Sequence, residues 1–205
     1  MDFNELFSAY PFSMTDAEVA AATKNIIDGH FAENNNREVW IQCLNQIDLT
    51  TLNGEDTVAK VEGMASKVTN FKKNFPDLKN VAAMCVYPAL ADVARQNLPK
   101  DIHVACVSAG FPASQTFIEV KVAETALALK AGADEIDIVL SVGKFLEGRY
   151  QECFDEISEL KAVCGEHHLK VILETGALVT AEKVSDLCVK EAREKASKIV
   201  RNAEV

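Results

Sequence analysis

Along Glu135–Leu140 apolar and polar positions alternate: Ile136, Ile138 and Leu140 fall on one face of an extended segment, and Glu135, Asp137 and Val139 on the other. Both faces read as buried, yet one carries carboxylates. In a parallel strand covered by helices, the apolar face packs outward and Glu135 and Asp137 point into an interior. An ionised carboxylate there is costly unless a partner offsets it. The next alternating stretch, Leu169–Glu174, supplies one, because Lys170, Ile172 and Glu174 share a face opposite Val171 and Leu173. Acid and amine on consecutive strands read either as a structural ion pair or as working chemistry.

The same period marks further strands at Gln46–Leu49, Val81–Tyr87 and His103–Ser108. Between and after the strands, apolar residues recur at helical intervals over about Asp56–Asn74, Pro88–Gln96, Ser114–Ala131, Tyr150–Glu166 and Thr180–Asn202. Strand and helix in alternation specify a parallel sheet with right-handed crossovers. Residues 1–46 read as a helical extension before a partial (β/α) barrel domain over 47–205. Within the extension, Thr15-Asp16-Ala17-Glu18 has the spacing of a capping box, and Arg37–Gln46 holds a second short helix with Trp40 and Leu44 on one face. The expected role of this preface is packing against one end of the domain.

Alternation assigns Asp48 and Thr50, Cys85 with Tyr87, Asp137, and Lys170 with Glu174 to one inner face. In β/α enzymes the working residues sit at the carboxyl ends of strands, where Thr50, Asp137 and Glu174 fall. A carboxylate beside a lysine suits proton abstraction next to a carbonyl or imine: the acid relays protons and a desolvated amine can act as nucleophile. The Gly110-Phe111-Pro112 turn reads as a plain turn, with a second reading in which its N–H groups approach a ligand.

Composition narrows the alternatives. Of the 205 residues, 48% are hydrophobic and 25% charged, which is ordinary for a globular domain. A net charge of −10 removes the basic surface that nucleic-acid binding needs. No apolar run is long enough for a membrane span and no leader opens the chain, so a cytoplasmic protein is expected. The six cysteines form no CxxC pair and read as reduced thiols. Neither they nor the four histidines have metal-ligand spacing; His167-His168 reads as a loop before a strand. No glycine-rich nucleotide loop is present, so no cofactor is expected.

Five motifs, in order and spacing, resemble deoxyribose-phosphate aldolase: Ile47-Asp48-Leu49-Thr50-Thr51-Leu52, Ala83-Met84-Cys85-Val86-Tyr87-Pro88, Gly110-Phe111-Pro112, Gly132-Ala133-Asp134-Glu135-Ile136-Asp137 and Lys170-Val171-Ile172-Leu173-Glu174-Thr175-Gly176. The resemblance covers roughly Gln46 to Val184. It implies a TIM-type parallel β/α barrel and a metal-free class I lyase working through a lysine Schiff base. Such an enzyme reversibly cleaves 2-deoxy-D-ribose 5-phosphate to glyceraldehyde 3-phosphate and acetaldehyde, in deoxyribonucleotide and carbohydrate catabolism. By the same resemblance Asp137 serves the proton relay, Asp48 and Cys85 line the pocket, and Lys170 is the lysine of the fifth strand. Lys121 and Glu124 also follow the family pattern and read as structural.

The resemblance lapses after Val184. The family's sixth strand carries the imine lysine, and later loops hold the phosphate. Here Ser185–Asn202 has strong helix propensity, and Lys198 does not align with a strand lysine. A whole barrel takes about 250 residues, whereas about five βα units fit here, so the expectation is an incomplete barrel whose own catalytic competence is in question. The alternatives are a non-catalytic association module, a truncated gene product, and an aldolase for another short aldehyde with Lys170 as nucleophile. Open sheet edges make a homo-oligomer possible.

Overall fold

The computed structural model describes residues 3–9 and 14–178. Three helices precede the sheet: α1 (Phe3–Ser8), α2 (Asp16–Asn34) and α3 (Arg37–Leu44). The α2 start follows the sequence closely, since the Thr15 hydroxyl accepts from the Glu18 N–H while the Glu18 carboxylate accepts from the Thr15 N–H at 2.7 Å. The expected packing role is not met for α2. None of its residues is buried, and Ile26, Ile27 and Phe31 are all more than half exposed. Its apolar side chains are spread around the helix instead of gathered in one stripe, so no face is suited to a core. By contrast, α1 has one apolar edge, and Phe7 packs edge-on to Tyr150 with ring centroids 4.9 Å apart.

The sheet comprises β1 (Asp48–Thr50), β2 (Ala83–Val86), β3 (His103–Val107), β4 (Glu135–Val139) and β5 (His168–Ile172). All neighbours pair in parallel, in the order β1-β2-β3-β4-β5. This consecutive order is the barrel arrangement carried through five strands. Each strand is followed by helix: α4 (Val58–Asn74) after β1, a 3-10 turn and α5 (Ala91–Asn97) after β2, and α6 (Ile118–Lys130) after β3. After β4 come α7 (Val142–Leu146) and α8 (Tyr150–Cys164). The five residues of α7 are too few for a helical period to be read from sequence. The helix expected over Thr180–Asn202, with Lys198, lies outside the described residues.

Strand alternation sorts the core into two faces. Met84, Val86, Val104, Cys106, Ile136 and Ile138 pack outward on α4, α5, α6 and α8, through Val61, Ala65, Ala94, Ala128 and Leu160 among others. Ala83, Cys85, Ala105 and Val107 form a smaller apolar floor on the inner face, with Leu52, Tyr87 and Phe111 against it. Small residues in the middle strands leave room on that face, and the outer strands fill it with charge. Among the described residues no helix is long and apolar enough to cross a membrane.

Candidate functional site

Lys170 is the third residue of β5, and its register partner on β4 is Asp137. A parallel ladder sends paired residues to one side, so the Lys170 ammonium meets the acids that alternation had assigned to the interior. Its Nζ donates to the Asp48 carboxylate at 2.6 Å and forms ion pairs with Glu135 at 2.9 Å and Asp137 at 3.1 Å. One amine thus balances three carboxylates from β1 and β4, joining both ends of the five-stranded sheet across its concave face. Lys170 retains 39% side-chain exposure, whereas Glu135 and Asp137 keep 14% each, so the amine lies toward the open side of the cluster.

The two ends of the Asp137–Lys170 pair are pushed in the same direction for different reasons. Burial alone would lower the Lys170 pKa, but the Asp48 hydrogen bond, then the contacts with Glu135 and Asp137, raise it well above the ordinary lysine range. Burial raises the Asp137 carboxyl above its ordinary value, and the charges of Asp48 and Glu135 add to this against the opposing pull of Lys170. Asp137 Oδ1 is buried and lacks an aligned hydrogen bond even though Lys170 is near. Its Oδ2 faces the Cys85 thiol at 3.9 Å. Desolvation and the adjacent Asp137 charge push that thiol up to about 12, so Cys85 is a neutral wall and not a nucleophile. The site therefore pairs a permanent cation with a carboxyl poised to take or give a proton.

Thr50 sits beside Cys85 in the ladder, and its hydroxyl donates to the Asp48 carbonyl at 2.8 Å. Tyr87 reaches the rim, donating to the Leu52 carbonyl at 3.4 Å. Glu174 departs from its expected place. β5 ends at Ile172, and Glu174 is exposed, with a φ of 54°. Its carbonyl accepts from the Ala177 and Leu178 N–H groups. The chain has left the sheet to start a helical turn, so the period-two rule no longer governs the side chain. The second reading of the Gly110 turn also fails for Gly110 itself, whose N–H donates to the Glu124 carboxylate at 2.8 Å. A side chain at Gly110 would meet Thr116 at 2.8 Å with φ at +74°, so only glycine fits.

Sequence reasoning passed over two histidines. His168 is the first residue of β5 and not a loop residue; with His103, which opens β3, it borders Glu135. The signal was present, since His168 lies two positions before Lys170 and so on the same strand face. Lys121 lies elsewhere, fully buried on α6, where it donates to the hydroxyls of Ser114 at 2.8 Å and Ser141 at 2.9 Å and pairs with Glu156 at 3.3 Å.

A family model described as DeoC/LacD family aldolase matches residues 43–205, the sheet and everything that positions these side chains. The chain belongs to the DeoC/LacD aldolase family. Curated deoxyribose-phosphate aldolases are similar to it. The Homo sapiens protein is 36% identical over 162 residues, covering 71% of this chain and 49% of the relative. The Bos taurus protein is 36% identical over 156 residues, covering 68% and 48%. This DeoC/LacD chain thus spans about half the length of the curated relatives it matches. A crystal structure from Coccidioides immitis, assigned as a deoxyribose-phosphate aldolase, superposes with a TM-score of 0.58 at 29% identity, covering 66% of this chain and 50% of that one. A tetrameric deoxyribose phosphate aldolase from Aeropyrum pernix, at 22% identity and a TM-score of 0.53, shares the fold.

Proposed function

We propose that the inner face of β1, β2, β4 and β5 is the proton-relay wall of a Schiff-base aldolase site for a short phosphorylated sugar or aldehyde, in the manner of 2-deoxy-D-ribose 5-phosphate cleavage to glyceraldehyde 3-phosphate and acetaldehyde. The supporting observation is the buried Asp137 with its unbonded Oδ1 beside the Lys170 ammonium. In retro-aldol cleavage the substrate hydroxyl loses a proton as the carbon–carbon bond breaks. Asp137 accepts that proton and then returns it to the departing carbon fragment, while the Lys170 ammonium stabilises the carboxylate between turns. Thr50, Cys85 and Asp48 shape the wall. The five cysteines of the described residues are free thiols, which suits a cytoplasmic setting.

The same electrostatics argue against Lys170 as the imine-forming amine, because an ammonium held by three carboxylates has no lone pair for a carbonyl. Schiff-base chemistry here needs a second amine, which the resemblance puts on a sixth strand. Borohydride reduction in the presence of acetaldehyde, followed by peptide mapping, is expected to leave Lys170 unmodified. A stoichiometric adduct on Lys170 would overturn this division of roles.

A second reading is association with another copy or with a longer aldolase. It is favoured by β1 and β5, each of which has a single strand partner among the described residues. Light scattering discriminates: an oligomer at micromolar concentration is expected on this reading, and a monomer across the dilution range refutes it.

A further inference from the structure

Glu135 stands between two sets of groups, and the proposed relay uses only one. Its Oε1 meets His103 Nδ1 at 2.6 Å and His168 Nδ1 at 3.7 Å, while its Oε2 meets Lys170 Nζ at 2.9 Å. His103 opens β3, Glu135 opens β4 and His168 opens β5, so three adjacent parallel strands bring these side chains to the amino-terminal edge of the sheet. The imidazoles are 48% and 72% exposed, and the carboxylate between them and Lys170 is 14% exposed. The remaining charges facing Lys170 are Asp48 from β1 and Asp137 from β4.

We propose that Glu135 is a positioning residue for Lys170, and that His103 and His168 compete for the same carboxylate and so set how firmly Lys170 is held. The proposal rests on the aldolase reading for the purpose of Lys170, but the clamp itself is a matter of geometry. The two carboxylate oxygens serve different partners, Oε1 the solvent-facing imidazoles and Oε2 the Lys170 ammonium. An imidazolium on Oε1 withdraws negative charge from Oε2, leaving Lys170 to Asp48 and Asp137. With neutral imidazoles, Glu135 serves Lys170 fully. The hold on Lys170 is thereby sensitive, from the far edge of the sheet, to the charge carried by the two imidazoles.

The test is the rate at which a small amine-acylating reagent modifies Lys170, read by peptide mass spectrometry relative to the exposed Lys67. Glu135→Gln is expected to raise the relative rate at pH 8 about tenfold, equivalent to one pKa unit of lost ammonium stabilisation. His103→Gln/His168→Gln is expected to lower it about twofold at pH 6 and to leave it unchanged at pH 9, because the competitor is gone only where it had been charged. The double variant alters exposed side chains and keeps the sheet, so it decides the matter even if Glu135→Gln fails to fold. A Lys170 rate indifferent to Glu135→Gln, or moved equally at both pH values by the histidine pair, would overturn the clamp. Labelling needs no turnover. A wild-type chain with this pattern and no aldol cleavage refutes the aldolase reading alone, and cleavage without the pattern refutes the clamp alone.

Discussion

Lys121→Met is expected to destabilise the protein by about 1–3 kcal/mol, the cost of leaving buried acceptors without their donor, since Lys144 still pairs with Glu156 at 2.7 Å. The Lys121 side chain is 2% exposed and Glu156 12%, so water cannot replace the lost contact. Ser114 and Ser141 lose a donor at the same time. These two serines lie beyond the carboxyl ends of β3 and β4, so the damage includes loosening of two loops above the inner face. Burial works to raise the Glu156 pKa, but hydrogen bonds from Lys144 and Ser141 and the Lys121 charge overcome it and hold Glu156 below its ordinary value. A depressed carboxylate contributes stability that is present above its unfolded pKa, about 4.3, and lost as pH falls through the folded value. The gap between wild type and variant in urea unfolding should therefore be full at pH 7 and narrow below about pH 4. A variant with the wild-type urea midpoint at neutral pH would refute the account.

Asp137→Asn should separate stability from function. The proposed cleavage is expected to slow by about 10²–10⁴-fold, the usual contribution of a positioned general acid or base. Asparagine keeps the shape and one acceptor oxygen but cannot carry the proton. Stability should not fall with activity. A carboxyl whose folded pKa is raised contributes stability below its unfolded pKa, about 3.9, and this is lost as pH rises through the folded value. At pH 7 the buried Asp137 carboxyl is therefore a burden on the fold, and Lys170 still has Asp48 and Glu135 in the variant. The urea midpoint at pH 7 should equal or exceed that of wild type. Wild-type rates in the variant, measured by deoxyribose phosphate cleavage and by deuterium wash-in at the acetaldehyde methyl group, would remove Asp137 from the relay.

Much of this arrangement was legible along the chain because period two is rigid. Once β4 was anchored by Ile136 and Ile138 facing the helices, Asp137 had to face the other way, and Lys170 followed from the same rule on β5. The rule failed where the backbone ceased to be a strand. Glu174 lies two residues beyond the end of β5, in a left-handed conformation that local alternation does not signal. α2 failed for a different reason: capping and helical spacing establish that a helix forms, but not that anything covers it, and its apolar residues do not converge on one side.

The sequence by itself determined the α/β alternation, the outward apolar faces and the membership of Asp48, Cys85, Asp137 and Lys170 in one lining, because these depend on local period and on the cost of burying charge. Tertiary structure alone decided which acids share the lysine. Asp48 lies 122 residues before Lys170, and only the curvature of the sheet brings the Lys170 Nζ within 2.6 Å of the Asp48 carboxylate. It also decided that Glu135 divides its two oxygens between Lys170 and the histidines at the strand starts. Coulombic partnership falls off with distance in space and is indifferent to separation along the chain, so that allocation waits on the fold.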